Sequence, residues 1–410
     1  MKTMLISLAW KNIWRNKLRS GMILGAIAIG LFAGTFMTAF LSGWIEHSVI
    51  SDIQNQLAYI QVHDPGFAAN NDIKACFLQD EAMVAKIASA GEVAAVSYRL
   101  RLNAMLASAA AAVGVSVKGV DVAAEKAVFT LHETIPDSCG AFLPDEGRMQ
   151  IVISRKTAEK LKVRLRSKLV LTFQDTGGEM QSLAFRVGGI FKTANAAFDE
   201  GTVFVRKSDI FAYTGLPEGA VHEAALMTGG FETCRTASER LQSLLPGLDV
   251  QTWDQVQPEL GLMLSWIGLM NGFILAIFLL ALSFGIVNTM LMAVLERTHE
   301  LGMLACIGMS KRRIFRMIML ETVFLTGVGS LLGIAAGLSV VGLTARSGID
   351  LTFLIEDQFE DYGFASVVYP VMRAGTFMQI VALVALAGLL SAIYPARKAL
   401  KLEPLEAIRN

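Results

Sequence analysis

The side chains that could do chemistry in this chain are few and poorly placed for it. The five histidines, His47, His63, His132, His222 and His299, stand singly. A zinc protease needs two of them one helical turn apart beside a glutamate, and no H-E-x-x-H occurs. Each is read as a surface or structural residue. The nearest approach to a nucleophile elbow, Gly114-Val-Ser-Val-Lys118, lacks the second glycine of that sharp turn. No G-x-x-x-x-G-K-S/T is present to cradle a nucleotide phosphate. Cys76, Cys139, Cys234 and Cys306 show neither C-x-x-C nor zinc spacing. The first three share one hydrophilic region, which allows at most one disulfide, and nothing in the spacing decides whether one forms. The expected role of all four is that of small buried hydrophobes. One stretch does concentrate charge: 296–317, ERTHELGMLACIGMSKRRIFRM. Glu296, Arg297 and Glu300 open it, and Lys311, Arg312, Arg313 and Arg316 close it. Between them Leu301, Leu304 and Ile307 give the apolar side of a short helix, ended by Gly308 and restarted at Ser310. This is the make-up of a helix shown to a partner.

The elements that position this stretch are apolar. The 410 residues are 53% hydrophobic and 18% charged, with zero formal net charge and a mean hydropathy of +0.50. Such a composition points to a membrane protein and excludes a nucleic-acid binder driven by bulk charge. Charge-free runs cover Gly21 to Ile45 (25 residues), Leu260 to Leu295 (36), Thr322 to Ala345 (24) and Ala374 to Ala396 (23). About 20 apolar residues cross a bilayer core, so four spans are expected. The second run is too long for one crossing and is expected to extend outside the bilayer at its N-terminal end. The first run is too long for a cleavable signal, and no small-x-small site follows it.

Basic residues near the span ends set the expected orientation. Residues 1–20 carry Lys2, Lys11, Arg15, Lys17 and Arg19 and no acid; 296–316 carries five basic residues against two acids; the tail from Arg397 carries four against two. Residues 346–373 carry five acids against Arg346 and Arg373. Both termini and the 296–316 loop are therefore expected inside, with 46–259 and 346–373 outside. The resulting division is 1–20 interfacial helix, 21–45 first span, 46–259 outer domain, 260–295 second span with stalk extension, 296–316 inner loop, 317–345 third span, 346–373 short outer loop, 374–396 fourth span and 397–410 tail.

No span has an Asp, Glu, Lys or Arg at mid-depth. The polar residues of spans 2 and 4 are mainly Asn271, Ser283, Asn288, Gln379 and Ser391. Ion-coupled transport needs an intramembrane ionisable group and a channel needs a polar lining, so both classes lose support. Glu321, near the inner end of span 3, is expected to pair with Arg313 or Arg316. Glycines at four-residue spacing (Gly21 and Gly25, Gly30 and Gly34, then Gly329, Gly333 and Gly337) suit close helix approach. Packing within one bundle and a dimer face both fit them. Residues 3–20 form a basic amphipathic helix, with Leu5, Leu8, Trp10, Ile13, Trp14 and Leu18 apolar, suited to the inner leaflet. Ile45, Val49, Ile53 and Leu57 continue the first helix as a stalk.

The 214 residues from Glu46 to Glu259 alternate strand and helix patterns, which predicts an α+β domain. Helices are expected over 80–90, 155–161 (capped by Ser154) and 232–244. Strands 168–173 and 180–187 are expected to pair across Asp175-Thr-Gly-Gly178. A strand-rich subdomain is expected at about 140–210.

Three segments carry a family resemblance. ERTHELGMLACIGMSKRRIFRMIMLETVFLTGVGSLLGIAAG, SAIYPARKALKLEPLEAIRN and LAWKNIWRNKLRS resemble the FtsX-like, MacB-type (type VII) ABC transporter permeases. Within the second, the family has a Pro-Ala-Arg turn after span 4. LAYIQVHDPGF, ISRKTAEKLKV and FRVGGIFKTANAAFDEGTVFV resemble the lipoprotein-releasing (Lol-type) permeases. The family usually has a glycine-acid turn after the helix at 155–163, where this chain has Leu165-Arg-Ser167. The first span is not expected to be joined to an ATPase domain.

The resemblance implies an α-helical membrane protein with four transmembrane helices and a MacB-like periplasmic core domain between helices 1 and 2. It implies a non-catalytic permease subunit of the inner membrane, with ATP and Mg held by a separate cytoplasmic ATPase dimer. A second permease subunit, identical or paralogous, a periplasmic carrier or adaptor, and membrane lipid complete the expected partners. The ATPase-coupling residues would be Glu296, Arg297, Glu300, Leu301, Gly302, Leu304, Ile307, Gly308, Met309 and Ser310. The leading reading is extraction of lipoproteins or other lipid-anchored cargo from the outer leaflet. Phe32, Phe36, Met37, Phe40, Met263, Ile267, Met270 and Phe273 would then hold acyl chains. The alternatives are MacB-like efflux of peptides, toxins or drugs, and regulation of a cell-wall hydrolase.

Overall fold

The computed structural model describes residues 2–67, 71–144, 147–193, 195–350 and 367–400. Four helices are long and apolar enough to cross a membrane: span 1 (Lys17–Asp52), span 2 (Pro258–Glu296), span 3 (Lys311–Ser347) and span 4 (Ala374–Leu400). An α+β domain lies between the first and second. Spans 1 and 2 run past the charge-free limits at 45 and 260, as the stalk periodicity predicts. The chain falls into two compact units. One takes in residues to Glu46, Ser265–Asp350 and those from Val367; the other is His47–Leu264.

In the first unit the spans meet through Ile23, Ile27 and Leu31 of span 1, Leu275, Leu282 and Ile286 of span 2, Leu325 of span 3, and Ile380 and Val384 of span 4. The glycines of span 3 explain its closeness to span 1. A Cβ on Gly333 would lie 2.5 Å from the Ala28 carbonyl oxygen, one on Gly329 2.7 Å from Ile27, and one on Gly337 3.0 Å from Thr35. The span 3 stripe therefore packs inside the bundle. Gly30 and Gly34 of span 1 face Leu282 and Phe278 at ordinary contact, whereas Gly21 and Gly25 meet nothing within 4 Å. The buried Asn271 donates to Ser42 Oγ at 2.8 Å. The expected Pro-Ala-Arg turn after span 4 is absent: Pro395 lies inside the helix, which continues to Leu400. Ala392, Ala396 and Ala399 keep this stretch packed on the bundle core, which holds the helical course despite the missing Pro395 N–H. The acids Glu356, Asp357, Glu360 and Asp361 and the end of the tail lie outside the described residues.

The second unit is built on one nine-stranded sheet. Its strands are β1 (Ile60–His63), β2 (Val93–Ala107), β3 (Ala112–Val120), β4 (Gln150–Ser154), β5 (Lys168–Gln174), β6 (Met180–Phe191), β7 (Thr202–Arg206), β8 (Glu223–Thr228) and β9 (Asp249–Thr252). The order is β9-β1-β8-β2-β3-β7-β4-β6-β5, with β5 pairing back onto β2. The register Ala104↔Phe173 to Ala107↔Val170 thus closes six strands into a barrel. Leu100, Leu102, Leu171, Phe185 and Val203 are among the residues of its core. The strand-rich part is therefore more than an insertion at 140–210. It takes two strands from 93–120, because β2 is long enough to serve the open sheet with one half and the barrel with the other.

The helix signals hold. Asp80 and Ser154 cap Glu81–Ser89 and Arg155–Leu161 through Met83 and Thr157 N–H. Where the family usually has glycine-acid, Arg166 takes φ +68°, a left-handed conformation that glycine adopts at less cost.

Candidate functional site

The 296–317 segment folds as a helix, Thr298–Cys306, then a turn, then the start of span 3. Gly308 has φ +98°, and the Met309 N–H bonds the Leu304 carbonyl. These are the αL residue and back-bond that terminate a helix. Ser310 follows as the N-cap residue, extended at ψ 147°, its side chain making no capping bond.

The expected apolar side divides in two. Leu301 is buried in the bundle core, with Leu304 and Met309 packed against it. Gly302 is also buried. Ile307 is 84% exposed and Met303 46%, and Cys306 is exposed too, against the expectation of a buried thiol. Cys234 is buried, while Cys76 and Cys139 are half-buried. Helical rotation explains the division. A step of six residues from Leu301 to Ile307 turns about 600°, two-thirds of a turn away from the starting face.

The charges form a chain of contacts. Arg15, from the helix Lys2–Arg15, pairs with Glu300. Arg297 Nε donates to Glu300 Oε2 at 3.0 Å. Arg297 Nη1 donates to Glu321 at 3.1 Å. Glu321 therefore pairs with Arg297, across the loop. Hydrogen bonds from Arg15 and then Arg297 hold the Glu300 carboxyl below its ordinary range. Glu300 thus positions the short helix against its neighbours, and Met303 and Ile307 are left as its outward face. Glu296 lies at the end of span 2.

The N-terminal helix behaves similarly. The expected 3–20 helix is divided at Asn16; in Lys2–Arg15 Ala9 and Ile13 are buried while Trp10 and Trp14 stay exposed, and Leu18, also exposed, belongs to span 1. Trp10 also meets Phe324 of span 3 edge-on at 5.7 Å.

The eight expected cargo residues do not share one face. Phe32, Phe36 and Phe40 form a half-buried ladder along span 1, centroids 6.2 and 6.1 Å apart, beside the exposed Met37. On span 2, Met270 and Phe273 are exposed but Ile267 is buried. Each three-residue step turns the helix back by about 60°, so Ile267 falls on the packing side with Asn271 and Leu275. Met263 is half-buried in the other unit. A cavity of about 230 Å³ does lie between the two spans, lined by Ile23, Ile27, Gly30, Phe278, Leu282 and Ile286 among others.

One group of residues has no counterpart among the expected sites. Arg99, fully buried, is held by Glu125 and Glu223, with Arg101 and Lys118 close by. Its members come from distant positions, so no spacing announces it. The one signal is a pair of arginines alternating with leucines along β2.

Residues 272–404 match the family model of the FtsX-like permease C-terminal. They include the 296–317 helix, its glycine turn and spans 3 and 4. These residues are an FtsX-like permease domain. The pyoverdine export ATP-binding/permease protein PvdT of Pseudomonas fluorescens (strain Pf0-1) is 34% identical over 144 residues, 35% of this chain and 19% of that protein. The uncharacterized ABC transporter permease YknZ of Bacillus subtilis (strain 168) is 28% identical over 161 residues, 39% of this chain and 36% of that protein. The matched region is thus a minor part of these relatives. The periplasmic region of MacB from Actinobacillus actinomycetemcomitans aligns at 10% identity and TM-score 0.34, over 52% of this chain and 97% of that one. The FtsX-like domain holds every expected coupling residue.

Proposed function

We propose that the chain is the permease subunit of an ABC transporter that works by mechanotransmission. The observation that carries this is the FtsX-like domain's short helix, held by Arg15 and Arg297 through Glu300 with Ile307 turned outward. An ATPase dimer, holding ATP and Mg, docks on that helix from the cytoplasm. Both termini then lie inside and the α+β domain outside. Closure of a permease dimer is passed along spans 1 and 2 to the outer domains.

Extraction of lipid-anchored cargo is the first reading. It is supported by the Lol-type resemblance of segments now seen in β1, the helix Arg155–Leu161, and β6 to β7. The half-buried phenylalanine ladder of span 1 is the apolar surface it would use. Export of a periplasmic molecule is the second, and the name of the pyoverdine export relative favours it. One experiment serves both. The complex is purified from native membranes and its protein and small-molecule content identified by mass spectrometry. An ABC ATPase with acylated protein supports the first reading, and an ATPase with a secreted small molecule or peptide supports the second. Absence of any ATPase contradicts the permease role.

A further inference from the structure

Span 1 does not end as an ordinary helix. After Asp52, Ile53–Leu57 continue as one π-helical turn, and the chain leaves through Ala58 at φ 60°, ψ 174°. That conformation belongs to glycine; a Cβ there is strained. Ala58 is nevertheless fully buried, packed with Val128, Phe129 and Ala225. Two residues later β1 begins, paired on both edges by β8 and β9.

A helix end leaves carbonyls in want of donors, and here side chains and backbone of the domain supply them. The Gln56 carbonyl accepts from Arg99 Nη1 at 3.0 Å and Lys118 Nζ at 3.2 Å. The Gln54 carbonyl accepts from the Thr130 N–H at 3.0 Å. Asn195 Nδ2 donates to both Asp52 carboxylate oxygens, at 3.1 and 3.2 Å. Arg99 cannot move freely. Glu125 holds its Nε at 3.0 Å and its Nη2 at 2.5 Å, Glu223 holds Nη1 at 2.8 Å, and its guanidinium lies 3.9 Å over the Phe129 ring. Glu223 is fixed in turn by Arg101 at 3.1 Å. Such a buried ionic group adds little net stability over an apolar core, but it fixes geometry. Combined with a π-turn and a strained residue, both features that gather at working sites, it marks a place where a fixed angle matters.

We propose that residues 52–58 are a locked joint. Arg99 and Lys118 act as positioning residues that grip the last turn of the span 1 helix, so that its movement reaches the sheet undiminished. This rests on the permease reading above. The joint is gripped on several sides: the Gln56 carbonyl by β2 and β3, the Gln54 carbonyl by Thr130, the Asp52 carboxylate by Asn195, and Ala58 by Val128, Phe129 and Ala225 of β8.

The test uses the full chain in nanodiscs with its co-purified ATPase, as wild type, Ala58→Gly and Lys118→Met. Ala58→Gly is expected to fold and to melt no lower than wild type, since it removes the positive-φ strain. Amides 53–59 should nonetheless exchange with deuterium about tenfold faster in both variants. The ATP-dependent change in exchange across β5 and β6 should be lost in both. A purely structural role would tie any loss of response to a loss of stability. A wild-type response that survives both substitutions overturns the joint alone. A wild type with no response to ATP overturns the permease reading and the joint together.

Discussion

Gly308 and Glu300 bear on the shape of the 296–317 segment, the proposed docking element, more than on its stickiness. Proline fixes φ near −65°, so Gly308→Pro cannot take the +98° that ends the helix. Glu300→Lys turns two attractions, to Arg15 and Arg297, into repulsions. Both variants are expected to insert normally and lose stimulation of the ATPase, measured as ATP hydrolysis in proteoliposomes. Unchanged stimulation in both would contradict the role given to the segment. Lys118 makes a separate, pH-dependent prediction. Burial, with Arg99 second, lowers its ammonium to about 7. A base depressed in the folded state leaves the unfolded chain holding more protons above that value. Domain stability should therefore rise from about pH 7 towards pH 10 and level off below about 7. Lys118→Met should flatten that rise in thermal melts followed by Trp253 fluorescence. At this scale the sequence was readable where one residue makes one local choice, as with the Ser154 cap and the Gly308 stop. It was silent where partners are remote. Arg99, Glu125 and Glu223 meet only through the fold, and Leu301 and Ile307 could not be assigned to opposite sides without knowing which side meets the bundle.

Helices and strands were legible by period, and their mutual arrangement was not. The four apolar runs and the hairpin across Asp175–Gly178 follow from length, alternation and turn chemistry. The barrel needs β5 to return to β2, a pairing that no local pattern encodes, so its extent was read too narrowly. The glycine stripes illustrate the same limit, since small-residue spacing fits any close helix contact. The structure separates them, and substitution should show it. Gly333→Ala places a methyl 2.5 Å from the Ala28 carbonyl and should destabilise the bundle by about 1–3 kcal/mol, the usual cost of overpacking. Gly25→Ala meets nothing within 4 Å and should melt no lower than wild type. Thermal unfolding of both in the same detergent is the comparison; equal losses would place the stripes differently.

At the scale of the whole molecule, an absence and a presence support each other. The spans carry no charge at mid-depth to relay an ion, while the FtsX-like domain presents a fixed, partly apolar helix between spans 2 and 3. On the proposed reading, work is delivered to the chain by a partner and used elsewhere in it. Ile307 is the point of contact on this account. Burying an isoleucine is worth about 1.5–3 kcal/mol, so its replacement by aspartate should weaken the partner by at least about tenfold. The most direct measurement is a photo-crosslinking amino acid placed at Ile307 in the full-length chain, in native membranes, with the adduct identified by mass spectrometry. The account predicts a covalent adduct with an ABC ATPase, whose yield changes when ATP is added. Adducts with lipid alone, or with a protein that binds no nucleotide, would contradict it.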